Sequence, residues 1–182
     1  MLLEYGTGVV QTELVISTFQ KPEYLRLCLH SVVKQTYVPD SICIADDGSG
    51  ALTKRIIDTF QLSHPELSVR HVWHENLGFR KTKILNKAVI TSNADYMIFT
   101  DDDCVMHPTF IERHINLAAA GKFITGSVIR LEQGFTNRVL KLGEFQWDHK
   151  GRPLEWKPRS VSEFLKSMPF HPYIMAAFDI LS

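Results

Sequence analysis

Residues 96–103 have the sequence Tyr-Met-Ile-Phe-Thr-Asp-Asp-Asp, an apolar run that ends in three consecutive aspartates. A short apolar run that follows the polar break at 91–93 predicts a buried strand. Adjacent carboxylates repel one another and cannot all be buried unless a cation or ordered donors compensate their charge. In open α/β sheets, ligands bind at the carboxyl ends of strands. The motif therefore indicates either a site for a hard divalent metal with a phosphate-bearing ligand, or a solvated acidic turn before a helix that begins near Pro108.

Strand and helix patterns alternate along the chain as far as residue 130. Apolar runs bounded by polar or turn residues predict strands at 13–17, 42–45, 67–73, 96–99 and 123–129. Between them, apolar residues at helical spacing predict a helix that begins at Pro22 and helices around 52–60, 84–89 and 110–118, the last ended by Gly121. This alternation predicts an α/β fold with a doubly wound, mostly parallel sheet and right-handed crossovers.

The periodic pattern weakens after Arg130. Residues 134–159 combine glycine, proline and charge without a sustained period, so they predict no regular element. Ser160 and Glu163 have the spacing of a capping box, which predicts a short helix over 160–166. Residues 178–182 predict a further apolar element, which we expect to continue past residue 182.

Composition and charge are those of a soluble globular protein. The chain has 182 residues, of which 45% are hydrophobic and 22% are charged, and this predicts one domain with a single core. Its 20 basic and 20 acidic residues give a net charge of zero, which argues against a nucleic-acid partner. We expect no transmembrane helix and no secretion signal. Cys28, Cys43 and Cys104 lack metal-ligand spacing, which predicts reduced core thiols of a cytoplasmic protein.

The loop after the first predicted strand excludes two enzyme classes with related architectures. Residues 17–20, Ser-Thr-Phe-Gln, contain no glycine. A dinucleotide oxidoreductase needs Gly-x-Gly-x-x-Gly at this place, and a sugar nucleotidyltransferase needs a glycine-rich basic loop. Phosphatases of the Asp-x-Asp type are excluded for a different reason, because their motif follows the first strand and this one follows the fourth.

Four blocks of sequence, in order, resemble the family 2 glycosyltransferases of the GT-A fold. The blocks are 15–25, 31–37 with 44–49, 76–80 with 86–88, and 95–103. The resemblance spans residues 14–130. It implies a GT-A (Rossmann-like) fold that is truncated at the carboxyl end. Within a single domain over 1–182, it implies a nucleotide-sugar-binding half at 12–130 and an incomplete start of the acceptor-side region at 131–182.

The resemblance also implies a function. It implies an inverting glycosyltransferase of the hexosyltransferase type, which transfers the sugar of a nucleotide-diphosphate sugar, a UDP-sugar, to a glycan or lipid-linked acceptor. Such an enzyme would serve polysaccharide and cell-envelope biosynthesis. We expect it in the cytoplasm, including peripheral association with the inner face of the cytoplasmic membrane.

By resemblance, the donor-binding residues follow the first, second and third strands. Thr18 and Phe19 would lay backbone and an aromatic edge against the base. Asp47 would accept a hydrogen bond from the uracil imide N–H, although residues 46–49 also fit a plain turn. Arg80 corresponds to the basic residue near the base and the diphosphate, where a planar guanidinium suits bidentate contact.

The chain departs from the family pattern at 85–86, where many relatives carry Arg-Asn and this chain has Leu-Asn. That departure leaves Arg80 or Lys83 to supply the positive charge. Lys81 and Lys83 also fit a solvated face at the start of a helix, and for Lys81 that is the expectation.

The Asp-x-Asp motif of the family corresponds most simply to Asp101 and Asp103, which makes these residues the candidate metal ligands. Asp103 would coordinate Mn²⁺ or Mg²⁺ between the two phosphates, while Asp101 and Asp102 would face the ribose hydroxyls and the metal's waters. His107 is expected to be a surface residue rather than a ligand, because hard cations prefer oxygen.

The pair His71 and His74 carries little weight as a metal site, because residues i and i+3 on a strand point to opposite faces.

The catalytic base is not identified in this sequence. Inverting enzymes of the family need a carboxylate that deprotonates the acceptor, and by resemblance it lies in a later Glu-Asp motif that is absent here. Asp179 comes too early, and nothing singles out Glu144 or Asp148. The alternative function is therefore a non-catalytic nucleotide-sugar-binding fragment. Apolar groups between 164 and 178 predict self-association through the tail, for example as a homodimer.

Overall fold

The structure is a computed structural model, and it describes residues 4–5, 8–148, 152–155 and 176–179. The strands are β1 Glu4–Tyr5, β2 Gly8–Val9, β3 Thr12–Thr18, β4 Ser41–Asp46, β5 Val69–Trp73, β6 Tyr96–Asp101, β7 Cys104–Met106, β8 Ser127–Arg130 and β9 Ala176–Asp179. The helices are α1 Pro22–Val32, α2 Ala51–Ser63, α3 Lys81–Ile90, α4 Phe110–Leu117 and α5 Gln133–Leu142. The chain divides into two compact units, 1–25 with 39–102 and 26–38 with 103–182.

The first unit contains a four-stranded parallel sheet in the order β5-β4-β3-β6. Every residue of β3 is buried, which is expected of a central parallel strand that is covered on both faces. β3 pairs with β4 on one side and with β6 on the other, with Val15 opposite both Cys43 and Phe99. The prediction of a mostly parallel α/β sheet is therefore confirmed for this unit. β1 and β2 form a separate two-stranded antiparallel sheet.

One core cluster of the first unit lies between the sheet and α3. Its buried members come from β3, β4 and α3: Val15, Cys43, Ala45, Ile84 and Ala88. The prediction that the cysteines are core thiols is confirmed for Cys28, Cys43 and Cys104, which are all buried and form no disulfide. Burial raises the pKa of the Cys43 thiol to about 12, so this group stays protonated at neutral pH.

A buried ion pair crosses the amino-terminal part of the same sheet. Glu13 of β3 is only 2% exposed. Arg70 of β5 donates from Nε to Glu13 Oε1 and from a terminal nitrogen to Oε2, at 2.7 Å each. Ser41 also donates to Oε1, at 3.1 Å. Burial raises the pKa of the Glu13 carboxyl, but the hydrogen bonds from Arg70, Ser92 and Ser41 outweigh it and hold that pKa below its usual value.

The second unit has a three-stranded sheet in the order β7-β9-β8. β9 is antiparallel to β7 and parallel to β8. In this unit Gln35 links two segments, because its side chain donates to His107 O at 2.8 Å and accepts from Ile111 N at 3.0 Å. The amide of Gln35 thus satisfies a backbone donor in the first turn of α4.

Several sequence predictions for the second unit are wrong. Helix α5 occupies part of the segment that was predicted to be irregular. Glycine is uncommon in helices, so Gly134 made the start of α5 hard to recognise. Gly143 ends the helix with a positive φ of 77°. β7 was not predicted, because three residues are too few to show a period. α4 ends at Leu117 rather than at Gly121, since Ala118 is already extended. β8 begins at Ser127, later than predicted. The helix predicted over 160–166 lies outside the described residues.

Candidate functional site

The carboxyl ends of β3 and β6 meet at the point where the order of the first sheet reverses. The next strand in the chain, β4, lies on one side of β3, and β6 lies on the other side. In open α/β sheets this switch point forms the crevice that binds ligands. The register places Ser17 opposite Asp101, so the start of the acidic motif lies beside the end of β3.

Asp101 is the most exposed carboxylate of the motif, with 48% of its side chain accessible. Its Oδ1 accepts hydrogen bonds from Ser17 Oγ and from Lys81 Nζ, each at 2.5 Å. Burial raises the pKa of the Asp101 carboxyl, but the contacts with Lys81 and Ser17 outweigh it and hold that pKa below its usual value. The Asp101 carboxyl is thus ionised at neutral pH, and ionised carboxylates are a type of oxygen group that suits Mg²⁺ or Mn²⁺.

Asp102 and Thr18 bind each other rather than solvent. Thr18 donates from Oγ1 to Asp102 Oδ2 at 2.7 Å, and Asp102 N donates to Ser17 O at 2.9 Å. Both residues are at least 95% buried. The Thr18 hydroxyl therefore fixes the second carboxylate of the motif, and contact of either side chain with a ligand remains a prediction.

Asp103 belongs to the second unit and is 8% exposed. Cys104 Sγ lies 4.0 Å from its Oδ1.

The turn after β4 is held by its own carboxylates. Ser49 N donates to Asp46 Oδ1 at 2.7 Å, and His71 Nε2 lies 3.0 Å from Asp46 Oδ2. Burial raises the pKa of the Asp46 carboxyl, but the hydrogen bonds from His71 and Ser49 outweigh it and keep that pKa below its usual value. Asp46 therefore stabilises the turn that the sequence of residues 46–49 also fits.

Asp47 holds the segment that leads into α3. Arg80 N donates to Asp47 Oδ2 at 2.8 Å, and His74 Nε2 lies 2.6 Å from Oδ1. The Asp47 N–H donates to Thr18 O at 3.0 Å, which ties the turn to the end of β3. Each carboxylate oxygen has two lone pairs, so Asp47 keeps acceptor capacity beyond these contacts.

Gly48 allows the turn to pack against the segment after β5. It has a φ of 100°, and a Cβ added there would lie 2.6 Å from Asn76 Cα. Only glycine fits both the conformation and the space.

The loop after β3 is tied to this turn as well. Gln20 N donates to Ser49 Oγ at 2.8 Å, and Gln20 has a positive φ of 52°. Phe19, which precedes it, is 41% exposed. An aromatic side chain is therefore available at the carboxyl edge of the sheet.

The basic residues around α3 differ from the sequence expectation. Arg80 donates from a terminal nitrogen to Glu75 O. Its Nε is buried and has no hydrogen-bond partner among the described residues. Lys83 is exposed. Lys81 is the lysine that lies at the acidic motif, so the expectation that it belongs to a solvated face is wrong. Its position as the first residue of α3, at the carboxyl edge of the sheet, is the signal that could have revealed this contact.

The histidines have separate roles. His71 and His74 pair with Asp46 and Asp47 respectively, two contacts that the sequence did not indicate. In the second unit, His107 Nδ1 lies 2.9 Å from Thr109 Oγ1, and its ring packs edge-on against Trp147.

Within the described part of the chain, no group of three or more His, Cys, Asp or Glu side chains is arranged to hold a metal. A nucleotide-bound Mg²⁺ or Mn²⁺ does not require such a group, since one or two carboxylates, phosphate oxygens and water complete its coordination. The exposed and ionised Asp101 carboxylate fits that requirement.

Two carboxylates that the sequence left open as a base, Asp148 and Glu144, have hydrogen-bond partners. Asp148 Oδ2 accepts two hydrogen bonds from the Arg152 guanidinium, at 3.0 and 2.8 Å. Glu144 accepts from Gln146 Nε2 at 2.6 Å. Asp179 lies in β9, in register with Cys104 and with Arg130. These placements assign no base.

The first sheet and its switch point define a protein of the GT-A class. The fold is shared with the mannosyltransferase PcManGT from Pyrobaculum calidifontis, solved with GDP-Man and Mn²⁺, at a TM-score of 0.58 and 14% identity over 97% of this chain and 58% of that one. It is also shared with the glucosyl-3-phosphoglycerate synthase of Mycobacterium tuberculosis, solved with Mn²⁺, UDP and glucosyl-3-phosphoglycerate. For the synthase the TM-score is 0.51, with 15% identity over 70% of this chain and 47% of that one.

The family model described as glycosyl transferase family 2 matches residues 13–180. The chain therefore belongs to the family 2 glycosyltransferases, as its sequence blocks predicted. It is 26% identical over 114 residues to the protein CgeD of Bacillus subtilis strain 168. That match covers 58% of this chain and 25% of CgeD, so this chain spans about a quarter of that relative's length. None of the helices in the described ranges has the length and apolar character needed to cross a membrane.

Proposed function

We propose that this chain provides the donor site of a metal-dependent inverting glycosyltransferase that uses a UDP-sugar and a glycan or lipid-linked acceptor. The observation that carries the proposal is the edge of the first sheet. There an ionised, half-exposed carboxylate, Asp101, ends β6, and a turn carboxylate, Asp47, follows β4 of the same parallel sheet. A nucleoside diphosphate needs an acceptor for its base N–H groups and a cation for its phosphates, and this edge offers the side chains for both.

For the base, we assign Asp47 with Thr18 and Phe19. The Asp47 N–H bonds to Thr18 O, and Gln20 bonds to Ser49, so the base-contacting loop and the turn are held together. A carboxylate accepts from the imide N–H of uracil, and a partly exposed aromatic side chain can cover the flat ring.

For the diphosphate, we assign Asp101 and Asp103 as the ligands of Mn²⁺ or Mg²⁺, with Asp102 beside them. The bound cation would offset the negative charge of the diphosphate as it departs. The candidate donors of hydrogen bonds to the phosphate oxygens are Arg80 and the exposed Lys83. The Nε of Arg80 lacks a partner among the described residues. Both solved neighbours contain Mn²⁺ with a nucleotide or nucleotide sugar, which supports the choice of ligand class.

The first test is the metal dependence of nucleotide binding. We expect calorimetry to detect UDP binding in Mn²⁺ and none in EDTA, because the carboxylates of the motif repel an uncompensated diphosphate. ADP and GDP serve as controls for the base. Equal UDP affinity in Mn²⁺ and in EDTA would contradict the metal assignment.

The second test is the base selectivity of Asp47. Asp47→Ala is expected to weaken UDP binding about tenfold, because a hydrogen bond to a charged acceptor is lost, and to leave any GDP binding unchanged. The measurement is the ratio of the two dissociation constants in Mn²⁺. Parallel losses for UDP and GDP would instead show that Asp47 acts through the turn and the Arg80 N–H.

A non-catalytic nucleotide-sugar-binding role is the second candidate. It is favoured by the contacts of Asp148 and Glu144, since each of these carboxylates is already hydrogen-bonded within the second unit. Release of sugar from a UDP-sugar, with and without acceptor oligosaccharides, separates catalysis from binding alone.

A further inference from the structure

Lys81 and Asp101 form an ion pair at the boundary between protein and solvent. Lys81 Nζ lies 2.5 Å from Asp101 Oδ1, and the two side chains are 37% and 48% exposed. The same oxygen also accepts from Ser17 Oγ. Ser17 is fixed in the fully buried strand β3, whereas the lysine approaches from the first residue of α3 on a long side chain.

An ammonium and a divalent cation compete for the same carboxylate charge. A carboxylate that already pairs with a lysine binds a metal more weakly, since the lysine must be displaced first. Lysine suits such an exchange, because its charge is carried on a flexible four-carbon stem that can reach other acceptors. The Ser17 hydroxyl, in contrast, can stay in place and orient the carboxylate for either cation.

We propose that Lys81 is the counter-cation of Asp101 when no metal is bound. A divalent metal displaces Lys81 from Asp101, and the released ammonium group then binds the diphosphate of the donor. This inference rests on the proposed function, its first half on Asp101 as a metal ligand and its second half on the diphosphate of the donor. Lys81 is then a binding residue that makes metal entry and donor entry cooperative, since the cation that leaves Asp101 joins the incoming phosphates.

The proposal makes opposite predictions for metal and for nucleotide. In Lys81→Met, Mn²⁺ alone is expected to bind about three- to fivefold more tightly, which is the strength typical of a partly exposed ion pair. At saturating Mn²⁺, UDP is expected to bind about tenfold more weakly, because one charge-assisted hydrogen bond to phosphate is lost. Both constants are measured by calorimetry at one ionic strength, and thermal unfolding confirms that the variant is folded.

Two further variants complete the experiment. Lys81→Arg keeps the charge and is expected to resemble the wild type in Mn²⁺ alone. Lys54→Met is the matched control, because Lys54 forms a comparable pair with Asp58 at 2.6 Å on α2. It removes the same net charge and should leave both constants unchanged.

The outcomes separate this proposal from the proposed function. Unchanged or weaker Mn²⁺ binding by Lys81→Met overturns the displacement, even if the wild type binds UDP as expected. Tighter Mn²⁺ binding with unchanged UDP affinity overturns the transfer of Lys81 to the diphosphate. If the wild type binds no UDP in Mn²⁺, the proposed function fails. The Mn²⁺ affinities of the wild type and of Lys81→Met still decide whether Lys81 competes with the metal for Asp101.

Discussion

Asp101→Asn and Asp103→Asn are each expected to reduce UDP affinity in Mn²⁺ by about 100-fold or more. Groups that only orient metal ligands contribute about 10- to 100-fold to metal affinity, and a ligand itself should contribute at least the upper value. Asparagine keeps the shape of the side chain and removes its charge, so the change tests charge directly. Calorimetric titration of UDP in Mn²⁺ gives the ratio to the wild type.

Asp58→Asn, on the exposed face of α2, is the matched control and should bind UDP like the wild type. Thermal unfolding of the metal-free proteins identifies any structural role. Asp101 is half exposed, so loss of its pair with Lys81 should lower the melting temperature of Asp101→Asn by no more than about 4 °C. Wild-type UDP affinity in both motif variants would show that the acidic motif is a solvated turn.

Arg70→Ala is expected to lower the free energy of unfolding at pH 7 by about 3 kcal/mol, because it leaves the buried Glu13 carboxylate unpaired. For a chain of this size, that corresponds to a fall in melting temperature of roughly 6–12 °C. The measurement is urea or thermal unfolding followed by circular dichroism. Arg55→Ala, an exposed arginine on α2, is the control and should change the stability by no more than about 0.5 kcal/mol.

The pH dependence of this effect has a definite sign. The pKa of Glu13 is lower in the folded protein than its usual value. Its pairing therefore stabilises the wild type above the unfolded-state pKa, and this contribution is lost as the pH falls through the folded-state pKa. In Arg70→Ala, the buried Glu13 carboxylate has lost its arginine, so its charge destabilises the folded state. Protonation of Glu13 in acid removes that charge and restores part of the lost stability. The difference in stability should therefore shrink in acid, and a pH-independent difference would contradict the ion-pair explanation.

The first unit was largely predictable from the sequence because its elements are long and regular. A parallel strand such as β3 is buried on both faces and therefore appears as a continuous apolar run. Proline at the first position of α1 marked the start of that helix. The second unit was less predictable. β7 is too short to show a period, and the irregular composition between Gly134 and Gly143 hid α5.

The sequence by itself determined the order of strands and helices, the family, and the position of the acidic motif after a strand. These follow from local periodicity and from short blocks whose residues are neighbours in the chain. Only the tertiary structure decided the partner of each charged group. Lys81 reaches Asp101 across 20 positions, and His74 reaches Asp47 across 27. Parallel strands are joined through helices, so the groups at one edge of the sheet are far apart in sequence, and sequence periodicity carries no record of which of them meet.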